Sequence, residues 1–233
     1  MTAHPQTVAA PRPAKTTKRS TEALRITAIL DELDRLYPDA HCELHFRNPF
    51  ELLISVILSA QCTDDRVNLI TPTLFERFPD AKALAESDQE EVEKLIFSTG
   101  FYRNKAKNIR AAAKKLCEKF GGAVPRTMVD LLTLPGVARK TANVVMGTAF
   151  GIPSGVVVDT HISRLSQRLG MTREDEPEKI ERDLQKRWPE ERWIMSGHRL
   201  IWHGRRVCFA RKPSCATCTL RPLCPSPEAK ALP

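Results

Sequence analysis

The chain has 233 residues, a formal net charge of +8, a pI near 9.3, 42% hydrophobic and 6% aromatic residues. That length builds one substantial core or two smaller ones sharing a cleft, and the charge points to a polyanionic partner. The longest apolar run, Leu52 to Ala60, is broken by Ser55 and Ser59 and falls far short of the roughly 20 residues a membrane helix needs, so no bilayer-spanning segment and no membrane partner are expected.

Residues 1–20 are rich in Pro, Ala, Thr and basic side chains and contain no acid, which reads as a disordered basic tail. No charged-then-apolar leader opens the chain, and Pro5, Pro11 and Pro13 oppose the amphipathic helix of a transit peptide. A cytoplasmic location is expected, associated with the nucleoid in a bacterium. Arg12, Lys15, Lys18 and Arg19 would add salt-sensitive affinity for nucleic acid. From Thr21 onward the chain reads as successive helices. Leu24, Leu30, Leu33 and Leu36 give helical spacing, and Phe50 to Ala60 reads as a buried helix. Thr63 follows as an N-cap, with Asp64 and Asp65 in the favourable first turn. Residues 103–120 predict an amphipathic helix stopped by Gly121-Gly122. Ile109, Ala113, Leu116 and Phe120 fall on one face, and Arg103, Lys107, Arg110 and Lys114 form a basic stripe that fits a solvated face or a DNA contact. Val156-Val157-Val158 is the one β-like run and is too short to build a sheet. The expected class is all-α.

Residues 127–150 read as helix, tight turn, helix. In Leu134-Pro135-Gly136-Val137-Ala138, Pro135 fixes φ and Gly136 can take positive φ, with the second helix starting near Arg139. Such a turn leaves backbone N–H groups at a helix N-terminus, where they can clamp phosphate without touching a base. An αα-hairpin that only packs has the same pattern. Lys140 falls in that helix's first turn, where the dipole disfavours an ammonium and eases formation of a neutral amine. Asp159 precedes Ile162, Leu165 and Leu169 and reads as an N-cap, a position that would also hold a carboxylate ionised and fixed in direction.

Seven cysteines, four of them in the run Cys208, Cys215, Cys218 and Cys224, give the spacing C-x6-C-x2-C-x5-C. The crowding indicates a metal site in a reducing compartment instead of a disulfide scaffold. Zinc usually shows two close pairs and this run has one; iron–sulfur binding is the other reading. Between Arg192 and Pro227 there is no acid, and seven Arg or Lys residues, including Arg205, Arg206, Arg211 and Lys212, lie there. Cys42, Cys62 and Cys117 fall in or beside helices and are expected to be buried or inert.

The hairpin, the segment Val158-Asp159-Thr160-His161-Ile162 and the cysteine spacing occur in one order that resembles the endonuclease III family of DNA glycosylase/AP lyases, across about residues 21–226. The resemblance implies two helical domains flanking a DNA-binding cleft: a six-helix barrel domain at 42–153 with the helix-hairpin-helix, and an iron–sulfur domain from 21–41 plus 154–226, followed by a tail at 227–233. It implies a [4Fe-4S] cluster on Cys208, Cys215, Cys218 and Cys224. It further implies Lys140 as the nucleophile at the sugar C1′ and Asp159 as its charged partner, with damaged bases, oxidised pyrimidines of the thymine-glycol type, flipped from the stack. Leu134, Gly136, Val137 and Ala138 would meet phosphate. Ala138 stands where the family usually has a second glycine, so its methyl should hold the phosphate slightly farther off. Gln61 is similar to a glutamine that fills the gap left by the flipped base, Phe101 sits where relatives commonly carry an apolar wedge, often leucine, and His161 would contact phosphate. The expected partner is duplex DNA carrying a damaged pyrimidine or an abasic site, met by a monomer. Two alternatives stay open: a glycosylase of the same family with another base specificity, and a non-catalytic DNA-binding or redox-sensing module.

Overall fold

The computed structural model describes residues 18–230. The tail expected at 1–20 therefore lies outside the described residues except at its end, where the first helix already begins at Lys18. Twelve α-helices follow: α1 (Lys18–Leu36), α2 (Pro49–Leu58), α3 (Asp64–Arg77), α4 (Ala81–Ala85), α5 (Gln89–Ile96), α6 (Tyr102–Phe120), α7 (Met128–Leu131), α8 (Arg139–Phe150), α9 (Thr160–Arg168), α10 (Pro177–Arg187), α11 (Trp193–Arg206) and α12 (Pro227–Lys230). The described residues contain no strand, and the valine run at 156–158 is an irregular connection.

Local chemistry explains most starts and stops. Asn48, Thr63, Asp80, Thr127 and Asp159 each accept a backbone N–H of the first turn behind them, replacing a bond the helix end lacks. Gly121 ends α6 in the left-handed conformation, as the glycine pair suggested.

The helices bury two separate apolar clusters. The first takes its centre from α2, where Leu52, Leu53, Ile54 and Leu58 are fully buried, and adds Val67, Leu74, Ile96, Ile109, Leu116 and Val145. Each such side chain is worth roughly 1.5–3 kcal/mol of burial. The second joins Ile26, Ile29, Leu30 and Leu33 of α1 to Ile162, Leu165, Ile180, Leu184 and Leu200, so the chain's beginning packs with its last third.

Three expectations change. The buried stripe of α1 is Ile26, Ile29, Leu30 and Leu33, whereas Leu24 is 65% exposed, because it lies off that stripe at helical pitch. Seven α-helices, α2 to α8, fall within 42–153 where six were expected; α4 and α7 are single turns, too short to show a period. Residues 227–230 are a helical turn with Ala229 buried, not tail.

Candidate active site and DNA-binding surface

The hairpin turn has the backbone its residues imply. Gly136 has φ 78°, and a Cβ there would stand 3.0 Å from Cβ of Asn108 on α6, so both the conformation and the close approach call for glycine. Leu134 and Val137 point into the first core, so their side chains are not available to a phosphate, and the Val137 N–H is already bonded to the Leu134 carbonyl at 3.1 Å. Gly136 and Ala138 are exposed. Ala138 caps α8 without any side-chain bond, unlike the capped helices above, which leaves first-turn N–H groups for a phosphate.

Lys140 lies exposed in that first turn, and Asp159 is half-buried at the start of α9, its Oδ1 accepting the Ile162 N–H at 2.8 Å. They come from different cores and line one cavity of about 290 Å³ whose walls include Ser59, Cys62, Asn143, His161 and Trp193.

Asp64, read in sequence only as a first-turn acid, lines the same cavity. Burial pushes its carboxyl above the usual range, the Asp65 and Asp159 carboxylates push the same way, and Lys140 and His161 pull it back. It accepts from Arg205 Nη2 at 2.8 Å, and Arg205 also pairs with Glu43. Arg205 thereby ties α11 to α3 across the cleft. This contact spans sequence positions that no spacing rule links; the surplus of basic residues near the cysteines was the only hint. His161 lies with Nδ1 3.3 Å from an Arg164 nitrogen.

Gln61 and Phe101 share one property. Among the described residues only Gln61 (φ 52°), Phe101 (φ 48°) and Lys212 (φ 51°) are non-glycine residues at positive φ, a conformation costing roughly 1–2 kcal/mol. Strain of this kind concentrates where side chains are aimed at ligands. Phe101 is 66% exposed, so it is not a core phenylalanine. Below it, buried Lys105 donates to the Thr99 carbonyl at 2.7 Å, and burial lowers its pKa while the nearby Cys62 raises it. Of the basic stripe, Arg110 is turned inward to the Ser87 carbonyl at 2.5 Å and Gln89 Oε1 at 2.9 Å, while Lys107 is exposed.

Cys208, Cys215, Cys218 and Cys224 converge on one small cavity with His203 and Arg168. Burial pushes the Cys218 and Cys224 thiols up. Among the described residues no three His, Cys, Asp or Glu side chains are close enough to hold a single metal ion. Arg164 donates to the Cys208 carbonyl at 3.0 Å, and Arg168 to those of Phe209 at 2.6 Å and Ala210 at 2.9 Å. Cys42, Cys62 and Cys117 are each partly buried.

Residues 54–190 match the HhH-GPD superfamily of base excision DNA repair proteins. The chain is 57% identical to endonuclease III of Synechocystis sp. over 91% of its own length and 97% of the relative's. The chain belongs to the endonuclease III family. It is a bifunctional DNA glycosylase/AP lyase of base excision repair. The Bacillus subtilis endonuclease III is 47% identical, covering 86% of this chain and 91% of the relative. A trapped endonuclease III–DNA covalent intermediate superposes at a TM-score of 0.84 with 48% identity over 90% of this chain and 97% of that one. A thermostable thymine-DNA glycosylase at 22% identity and a TM-score of 0.79 shares the fold. No helix among the described residues is long and apolar enough to cross a membrane.

Proposed function

We propose that this enzyme removes oxidised pyrimidines from duplex DNA with Lys140 as nucleophile and Asp159 as its charged partner. The observation that carries the reading is their meeting in one cavity although they belong to different cores. Lys140 Nζ attacks C1′ of the extruded nucleotide, and the bond from C1′ to the base breaks. Asp159 stabilises the positive charge that develops on the sugar. Loss of a proton from nitrogen and opening of the sugar ring give the Schiff base. Its iminium acidifies the C2′ proton, and loss of that proton expels the 3′ phosphate by β-elimination. Water then hydrolyses the imine and frees Lys140. An amine is required, because no other side chain on the cavity wall gives an iminium.

The hairpin around Gly136 and Ala138 grips phosphate, Gln61 and Phe101 occupy the space left by the extruded nucleotide, and His161 lies beside the backbone. The two cores are the proposed barrel and iron–sulfur domains, and the working species is a monomer in the cytoplasm. Cys208, Cys215, Cys218 and Cys224 fit a [4Fe-4S] cluster: four thiols share one cavity, and their run holds one close pair where zinc usually shows two. The cluster would supply structural order to the loop, and the chain's own residues carry the chemistry.

The test is borohydride trapping. Wild type mixed with abasic duplex should give a covalent protein–DNA band that Lys140→Ala abolishes, and a panel of duplexes with oxidised pyrimidines should be cleaved. A wild-type protein that binds the duplex without giving a band would refute the lysine assignment.

A further inference from the structure

We propose that Glu181 is a positioning residue that sets Lys140 against Asp159, an inference resting on the assignment of those two residues above. Glu181 lies on α10 in the second core, and its side chain is 6% exposed. Its carboxylate accepts three hydrogen bonds from α8 of the first: Arg139 Nε at 2.9 Å, Arg139 Nη2 at 3.0 Å and Asn143 Nδ2 at 2.9 Å. Arg139 and Asn143 flank Lys140, so the carboxylate holds both ends of the turn that presents the amine.

The same group also touches the connection leading to Asp159. Ser154 Oγ donates to Asn143 Oδ1 at 2.9 Å. A Cβ on Gly155 would lie 2.1 Å from Glu181 Oε1 and 2.8 Å from Asn143 Nδ2, so the chain passes against the carboxylate with no room for a side chain. One buried group therefore fixes the first turn of α8 and residues 154–155, four residues before Asp159. Burying an ionised carboxylate is costly unless it is fully hydrogen-bonded. An apolar contact would pack the two cores more cheaply but would fix no direction. What the ion pair adds is orientation: the bidentate fork of Arg139 defines both distance and angle.

Glu181→Gln tests this, because it conserves shape. Glutamine offers one acceptor oxygen, and its amide nitrogen then faces a donor of Arg139 or Asn143. At least one arm is lost and the turn is free to shift. Displacement by about 1 Å at a reacting group can cost up to about a hundredfold in rate. The full-length wild type and the variant are compared on abasic duplex at saturating protein, well below each melting temperature. The expected result is a fall of about tenfold or more in the single-turnover lyase rate, with the dissociation constant changed by less than about threefold. A rate within about twofold of wild type, alongside a lowered melting temperature, would make Glu181 a fold tie only and overturn the proposal. If Glu181→Gln does not fold, Asn143→Ala removes one arm, keeps the ion pair and is read by the same rate. A wild type that forms no trapped adduct overturns the lysine assignment itself, an outcome distinct from a wild type that traps and a variant that is equally fast.

Discussion

Replacing Asp159 by asparagine and by alanine separates its two tasks. Oδ1 of Asp159 accepts the Ile162 N–H at 2.8 Å, and asparagine keeps an oxygen in that place while alanine removes it. Asparagine and aspartate are near-equal N-caps, whereas alanine costs typically about 1 kcal/mol. For a chain of this size that is a melting-temperature fall of about 2–4 °C. Asparagine also loses the carboxylate's attraction to the helix dipole, about 0.3–1 kcal/mol. It gains relief in return, because the Asp159 charge pushes the Asp64 carboxyl toward its neutral form. The net change for Asp159→Asn should therefore be close to zero. Its chemistry should not be: removing a preorganised charge beside a developing cation costs on the order of 10²–10³ in rate. Thermal melting and single-turnover base release, measured on the same preparations, check both halves. A near wild-type rate for Asp159→Asn would refute the electrostatic role, and equal destabilisation by the two variants would refute the cap.

Gly136→Ala forces a left-handed alanine, costing about 1–2 kcal/mol, and sets a methyl 3.0 Å from Asn108. It should lower the melting temperature by several degrees and weaken DNA binding in a salt titration, while the rate at saturating DNA stays near wild type. Lys105→Met keeps the aliphatic packing but strips the buried Thr99 carbonyl of its donor, a loss of about 1–3 kcal/mol; base release from duplex should fall more than from single-stranded DNA if Phe101 is the wedge. His198, half-buried, has its pKa lowered from 6.5 to about 4 by burial, with His41 and Arg199 adding to the effect. Since the folded value lies below the unfolded one, the unfolded chain takes up the proton first; stability present above pH 6.5 is lost as pH falls toward 4, by ~2 kcal/mol after allowing for partial exposure. Urea melts across that range should flatten for His198→Gln, and an unchanged slope would refute the assignment.

The all-helical class, the hairpin turn, the Thr63 and Asp159 caps and the stop at Gly121 were legible because each depends on neighbours within a few residues. The left-handed backbone of Phe101 was not legible, since no local residue demands it. Asp64, Arg205 and Glu181 were missed for one shared reason. Asp64 reads locally as a first-turn acid and Arg205 as part of a basic surplus, and nothing local sets Glu181 apart from the other acids of residues 174–191. Their roles arise only when α3, α8, α10 and α11 meet. Leu134 and Val137 illustrate the converse: the resemblance marks them for DNA, whereas their side chains are buried in the first core.

The two groups assigned to the chemistry are anchored unequally. Asp159 starts α9, nine residues and about 13 Å long, whose Arg164 and Arg168 hold the carbonyls of Gly204, Cys208, Phe209 and Ala210. Arg25 of α1 fastens the carbonyls just beyond α9 and that of Leu223. The cysteine loop, α9 and the carboxylate are thus one mechanical unit, with the thiols at one end and Asp159 at the other. Lys140 belongs to the opposite core, where its turn is held by the buried Glu181 carboxylate of α10 through Arg139 and Asn143. Loosening the cysteine loop should therefore act first on α9, at whose start Asp159 accepts the Ile162 N–H.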